Sequence, residues 1–220
     1  MKKVIGVFIV LVIGITIATY MISEVQSKKT LPVLNPCNVY PALVDSAIQQ
    51  KCVGHKISDF ILINQLGDTV NQNLINNKIV VADFFFVSCP SICPKMNLQL
   101  KRVHDQFIDN DKIIILSHTV WPEVDSVSVL LDYAEQFGAI PDKWQFLTGN
   151  KKELYRMARE SYLVVPSIHD SEFIHGGEAD FIHTENIVLI DRKKRIRGYY
   201  DGTNSIEIDI LLEDIKLLLN

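Results

Sequence analysis

The sequence predicts an α/β fold with a central mixed sheet flanked by helices, entered through an N-terminal hairpin and preceded by one N-terminal transmembrane helix. Three observations carry that expectation. Apolar strand-like runs alternate with helix-like stretches through the middle of the chain, two short strands and an amphipathic helix close it, and a charge-free apolar run opens it.

The opening residues Met1, Lys2 and Lys3 precede a run from Val4 to Ile22 without a charged residue, long enough as a helix to cross a ~30 Å hydrocarbon core. Ala18-Thr19-Tyr20 is a poor small-x-small cleavage site, so residues 1–23 read as a retained anchor with its amino end inside. Residues 24–55 carry Lys28, Lys29, Pro32, Pro36 and Pro41 with little periodicity and read as a tether. Cys37 and Cys52 lie in it. A bridge between them would close a short loop and contribute roughly 3 kcal/mol in the chain-entropy model. Such pairs persist in oxidising compartments, and no Arg/Ser-rich transit segment comes first. A bacterial inner membrane is therefore expected, with the soluble part on the periplasmic side.

Residues 56–220 read as one domain. Ile61-Leu62-Ile63, a turn at Gln65 to Asp68, and Thr69-Val70 predict the hairpin. Val80 to Phe86 is a buried strand, Ser91 to Phe107 a helix, Ile113 to Thr119 a second buried strand, and Ser126 to Phe137 a helix capped by Ser126. That β-α-β-α rhythm implies parallel strands. Gln145 to Thr148 is a short strand, Lys151 to Ser161 a helix, Ile187 to Asp191 and Ile196 to Tyr200 an antiparallel pair, and Ile206 to Leu219 the closing helix. A parallel core finished by an antiparallel hairpin and a helix is the thioredoxin-like arrangement, whose sites lie at the carboxyl ends of central strands. A net charge of −4 with charges spread along the chain offers no basic stripe, so nucleic acid is not an expected partner.

The chemistry concentrates in Cys89-Pro90-Ser91-Ile92-Cys93-Pro94, at the turn from the first buried strand into its helix. A helix N-terminus favours thiolate over thiol, so both sulfurs are expected to be good nucleophiles and soft-metal ligands. Three residues between the thiols, one more than in a C-x-x-C motif, leave room for an ion. Two thiolates satisfy Cu(I), whereas Cu(II) calls for an imidazole as well. His183 is the strongest candidate, standing just before the strand at Ile187 and after Gly176-Gly177; His169 and His175 share its loop. His118, at the end of a strand, could lie near the thiols or serve a turn. His104, among Lys101, Arg102 and Asp105, reads as a solvated face residue, and His55 as a surface residue.

The stretches Phe84 to Pro94, Ile115 to Val120 leading to Pro122-Glu123-Val124-Asp125, Ile182-His183-Thr184 running into Val188 to Asp191, and Ile196 to Gly202 together resemble the Sco/SenC copper chaperones of cytochrome c oxidase assembly. The resemblance implies a thioredoxin-like fold, one membrane anchor, and copper held as Cu(I) and Cu(II) by Cys89, Cys93 and His183. It also implies a copper-receiving oxidase subunit as partner, either for copper delivery or for reduction of that subunit's cysteines, and a thiol-disulfide reductant to recycle Cys89 and Cys93. Ser91, Trp121 and Ile182 stand where many members have Asp, which would leave the site less negative. The competing expectation is a metal-free thiol-disulfide oxidoreductase with Cys89 as nucleophile and Cys93 as resolving thiol.

Overall fold

The computed structural model describes residues 12–19, 30–164 and 184–220. Residues 12–19 are helical (α1), with Val12, Ile13, Ile15 and Ile17 exposed. The Thr16 hydroxyl donates to the carbonyls of Val12 and Ile13, and that of Thr19 to those of Ile15 and Thr16, so the polar groups of this apolar turn are satisfied within it. Among the described residues no helix is long and apolar enough to cross a membrane.

From Pro32 onward the chain forms a second unit around one seven-stranded sheet. Its strands are β1 (Ile61–Asn64), β2 (Thr69–Asn71), β3 (Ile79–Phe85), β4 (Ile113–Thr119), β5 (Trp144–Thr148), β6 (Asn186–Ile190) and β7 (Ile196–Asp201), in the order β2-β1-β5-β4-β3-β6-β7. The expected parallel core is β3, β4 and β5. β1 runs antiparallel to both β2 and β5, and β6 antiparallel to both β3 and β7, so hairpins finish both edges. β3 and β4 are buried at every position, which explains why they read as unbroken apolar runs rather than alternating ones.

The helices are α2 (Ile92–Phe107), α3 (Val127–Gln136), α4 (Lys151–Arg156) and α5 (Ser205–Leu219). Pro94 falls in the first turn of α2, where its missing N–H is no loss. Ser126 stands at the N-cap of α3 without a capping hydrogen bond; its hydroxyl pairs with that of Ser128. Gly138, at φ 65°, supplies the left-handed residue that ends α3. The single helix expected from Lys151 to Ser161 begins as α4, capped by the Asn150 side chain, and widens into a π-helical turn at Met157–Ser161.

Side-chain alternation sorts the core into two layers. On one face Phe85 stacks on Tyr133 of α3 (5.5 Å), Trp144 stacks on Phe146 (5.1 Å), and His104 of α2 leans on Trp144 (5.8 Å). On the other face Phe84, His118 and Tyr162 form a ring cluster beneath the π-helical turn. Gly202 lets α2 approach the sheet closely: a Cβ there would lie 2.9 Å from Ile187 and 3.0 Å from Met96.

The segment before β1 packs on the sheet rather than hanging free. Leu34 makes an antiparallel bridge to Ile196, Arg197 donates to the Pro32 carbonyl, and Ile57 N–H bonds the Lys194 carbonyl, which covers the edge that β7 would otherwise expose. A disulfide joins Cys37 to Cys52. His55 corrects the surface assignment: it is buried, its N–H bonds the Asn35 side chain, and its Nε2 sits 2.9 Å from the Ser161 carbonyl. Burial lowers its pKa.

Candidate metal centre

Cys89 and Cys93 are the free cysteines, and both are buried, 6% and 3% exposed. Cys89 follows β3 in a turn closed by its N–H to the Phe86 carbonyl. Cys93 lies in the first turn of α2, and its backbone N–H points at the Cys89 sulfur, 3.5 Å away.

The expectation of two activated thiols holds for only one. Burial pushes the Cys89 thiol up, but the N–H groups of Cys93, Ser91 and Ile92 and the Cys93 thiol together outweigh it, and the net shift is downward. Burial pushes Cys93 the other way, up to about 12; the Phe86 N–H opposes this, while the neighbouring Cys89 and Asp83 reinforce it. One helix start therefore polarises the pair. The outer sulfur collects the unsatisfied N–H groups, and the inner one, a turn deeper, meets the apolar core and negative neighbours.

Beneath Cys93 lies a buried polar cluster that the sequence reading missed. Asp83 is completely buried in β3; the Ser117 hydroxyl donates to its Oδ1 at 2.5 Å, and Trp144 Nε1 donates to Ser117. Asp83 Oδ2 has no hydrogen-bond partner. Burial raises its pKa to about 7, against the Ser117 bond. One turn below Cys93, Asn97 donates to the Tyr133 hydroxyl at 2.8 Å, and its own Oδ1 is also buried and unpartnered. A carboxylate inside a seven-residue buried apolar strand is the signal that could have identified Asp83.

Of the six histidines, His55, His104 and His118 are among the described residues. His118 is fully buried and stacked on Phe84 at 4.8 Å, with Nδ1 3.2 Å from the Asp83 carbonyl. By strand alternation it belongs to the face opposite the Asp83 side chain, and burial lowers its pKa to about 4. His104 corrects the solvated-face assignment: it is buried, its Nε2 accepts from Ile140 N–H, and its Nδ1 lies 3.1 Å from Asp105. His169, His175 and His183 lie outside the described residues. Among the described residues no three His, Cys, Asp or Glu side chains are grouped to hold a metal. The donor chemistry that is present, two sulfurs four residues apart with one favouring thiolate, suits a soft monovalent ion.

A model of the SCO1/SenC family matches residues 49–220. The SCO1 protein homolog of Bacillus subtilis is 25% identical over 166 residues, 74% of this chain and 83% of that protein. The structure of BsSco, described as a member of the Sco family of cytochrome c oxidase assembly proteins with a disulfide switch, matches with a TM-score of 0.62 at 24% identity, covering 76% of this chain and 94% of that one. Copper-bound ScoI of Bradyrhizobium japonicum matches with a TM-score of 0.59 at 23% identity, covering 74% and 99%. Fold, cysteine turn and family match coincide over the same residues, and the chain belongs to the SCO1/SenC family.

Proposed function

We propose that this protein is a membrane-anchored copper carrier for a terminal cytochrome c oxidase, which either delivers copper to the dinuclear copper centre or reduces that centre's cysteines. The observation that carries the reading is the polarised pair, in which Cys89 is biased toward thiolate under the N–H groups of α2 and Cys93 is held as a thiol behind it. Copper is the cargo. Cys89 and Cys93 would hold Cu(I), and His183 would complete the set for Cu(II). Binding requires loss of the thiol protons, and oxidation to a Cys89–Cys93 disulfide removes both sulfur donors, so loading is coupled to redox state. Copper bound to one relative and a disulfide switch named for another support both halves of this reading.

The apolar, internally satisfied turn at residues 12–19, set in the charge-free run Val4 to Ile22, supports a single-pass anchor in the bacterial inner membrane that leads to a periplasmic domain beginning at Pro32. A metal-free thiol-disulfide oxidoreductase is the second reading, favoured by the same pKa asymmetry, since Cys89 is suited to attack and Cys93 to resolve. Anaerobic titration of the reduced full chain with Cu(I) and Cu(II) separates them. One tightly held copper with a thiolate-to-Cu(II) charge-transfer band is expected. No binding, together with ready Cys89–Cys93 disulfide exchange, would replace the carrier reading with the oxidoreductase.

A further inference from the structure

We propose that Asp125 is a positioning residue that sets the geometry of the Cys89–Cys93 pair through the backbone of Val87, a role that rests on the copper and redox chemistry proposed above. Asp125 lies just before α3 and is completely buried. Its Oδ2 accepts from two donors on different loops: the N–H of Val87 at 3.2 Å, two residues before Cys89, and the hydroxyl of Thr119 at the end of β4. Thr119 Oγ1 in turn accepts from Trp121 N–H at 3.0 Å, and the Asp125 N–H bonds the Trp121 carbonyl at 2.9 Å. The Trp121 ring meets Phe86 edge to face, centroids 6.3 Å apart. One oxygen atom thus ties the cysteine turn, the end of β4 and the Trp121 loop together at the carboxyl end of the parallel strands.

The residue does not serve as a helix cap, since Ser126 occupies the N-cap of α3. Nor does the brace need a charge. Both donors converge on Oδ2, while Oδ1 is buried without a partner, and burial raises the acid's pKa against the Thr119 and Val87 bonds. An amide oxygen at the Oδ2 position could accept both bonds and leave its NH2 where Oδ1 bonds nothing. Alanine instead leaves the Val87 N–H and the Thr119 hydroxyl without their acceptor, and the turn that aims Cys89 at the Cys93 N–H loses its tie to β4. The brace is made here with both cysteines free, so its loss is expected to weaken that arrangement and move the dithiol–disulfide equilibrium toward the disulfide.

The test equilibrates the full chain in detergent with glutathione redox buffers at pH 7 and scores the Cys89–Cys93 couple by alkylation and mass measurement. Asp125→Ala is expected to shift the equilibrium toward disulfide at least tenfold, about 30 mV for a two-electron couple, and to weaken Cu(I) binding by a similar factor. Asp125→Asn is expected within threefold of the parent on both readouts. Ile208→Ala, a core truncation in α5, controls for lost stability: its melting temperature should fall while its equilibrium stays within threefold. An Asp125→Ala equilibrium equal to the parent's, an Asp125→Asn variant as impaired as Asp125→Ala, or an equal shift in Ile208→Ala would each overturn the positioning role. A parent pair that neither cycles nor binds copper would overturn the functional reading itself.

Discussion

Two cysteine pairs in one chain behave in opposite ways, and their surroundings account for it. Cys37 and Cys52 are already joined, in an entry segment whose Cys37 N–H bonds the Lys51 carbonyl and whose following residues dock through His55 on Ser161. Cys89 and Cys93 are free, although only three residues separate them, and they sit where the first turn of α2 presents its unsatisfied N–H groups. The first pair closes a loop within a segment that lacks regular helices or long strands and that docks on the sheet through Leu34 and Ile57. The second is unbridged and unequal, which a structural crosslink has no use for.

The largest effect expected concerns copper. Cys93→Ala should abolish stoichiometric Cu(I) binding, because one sulfur is too few for a soft ion; His183→Ala should weaken Cu(II) far more than Cu(I). Equal loss of both ions in the histidine variant, measured by competition with chelators, would show the third ligand to be misassigned.

Next comes selectivity between the thiols. In the reduced, metal-free protein at pH 7, iodoacetamide should modify Cys89 at least about a hundredfold faster than Cys93, given a lowered outer and a raised inner thiol. Peptide mapping after brief labelling reads the ratio, and equal labelling would remove the asymmetry on which the comparison depends. For the first pair, replacing both Cys37 and Cys52 by Ala should cost about 3 kcal/mol in denaturant unfolding.

A smaller effect concerns Asp83. Its folded pKa of about 7 lies above the ordinary carboxyl value of 3.8, so the folded state holds the proton more tightly. That stabilisation is full below about pH 4 and lost as pH rises through about 7. The parent should therefore lose roughly 3 kcal/mol between pH 5 and 8 relative to Asp83→Asn, whose amide does not titrate in this range. Parallel pH profiles of the two proteins would contradict a buried, titrating Asp83.

The layered α/β architecture was legible because buried parallel strands and amphipathic helices leave distinct periodicities, and the cysteine turn because Pro and Cys punctuate a strand end. The histidines were less legible. The charged sequence neighbours of His104 suggest a solvated face, yet the residue continues the buried row Met96, Leu100, His104 at four-residue spacing, a pattern visible in the sequence itself. His55 gave no such signal, since its burial comes from Asn35 and Ser161, distant in sequence. The splitting of the two thiols also depends on depth: Cys93 is affected by Asp83, which reaches it across the fold rather than along the chain.

The most direct test sets the two pairs against each other: copper per chain, by metal analysis after anaerobic loading, for the parent, for Cys89→Ala, and for Cys37→Ala/Cys52→Ala. One copper in the parent and in the double variant, with none in Cys89→Ala, is the predicted result. Copper retained without Cys89, or lost together with the Cys37–Cys52 bridge in a variant that still folds, would contradict the assignment of carrier chemistry to the turn at the start of α2.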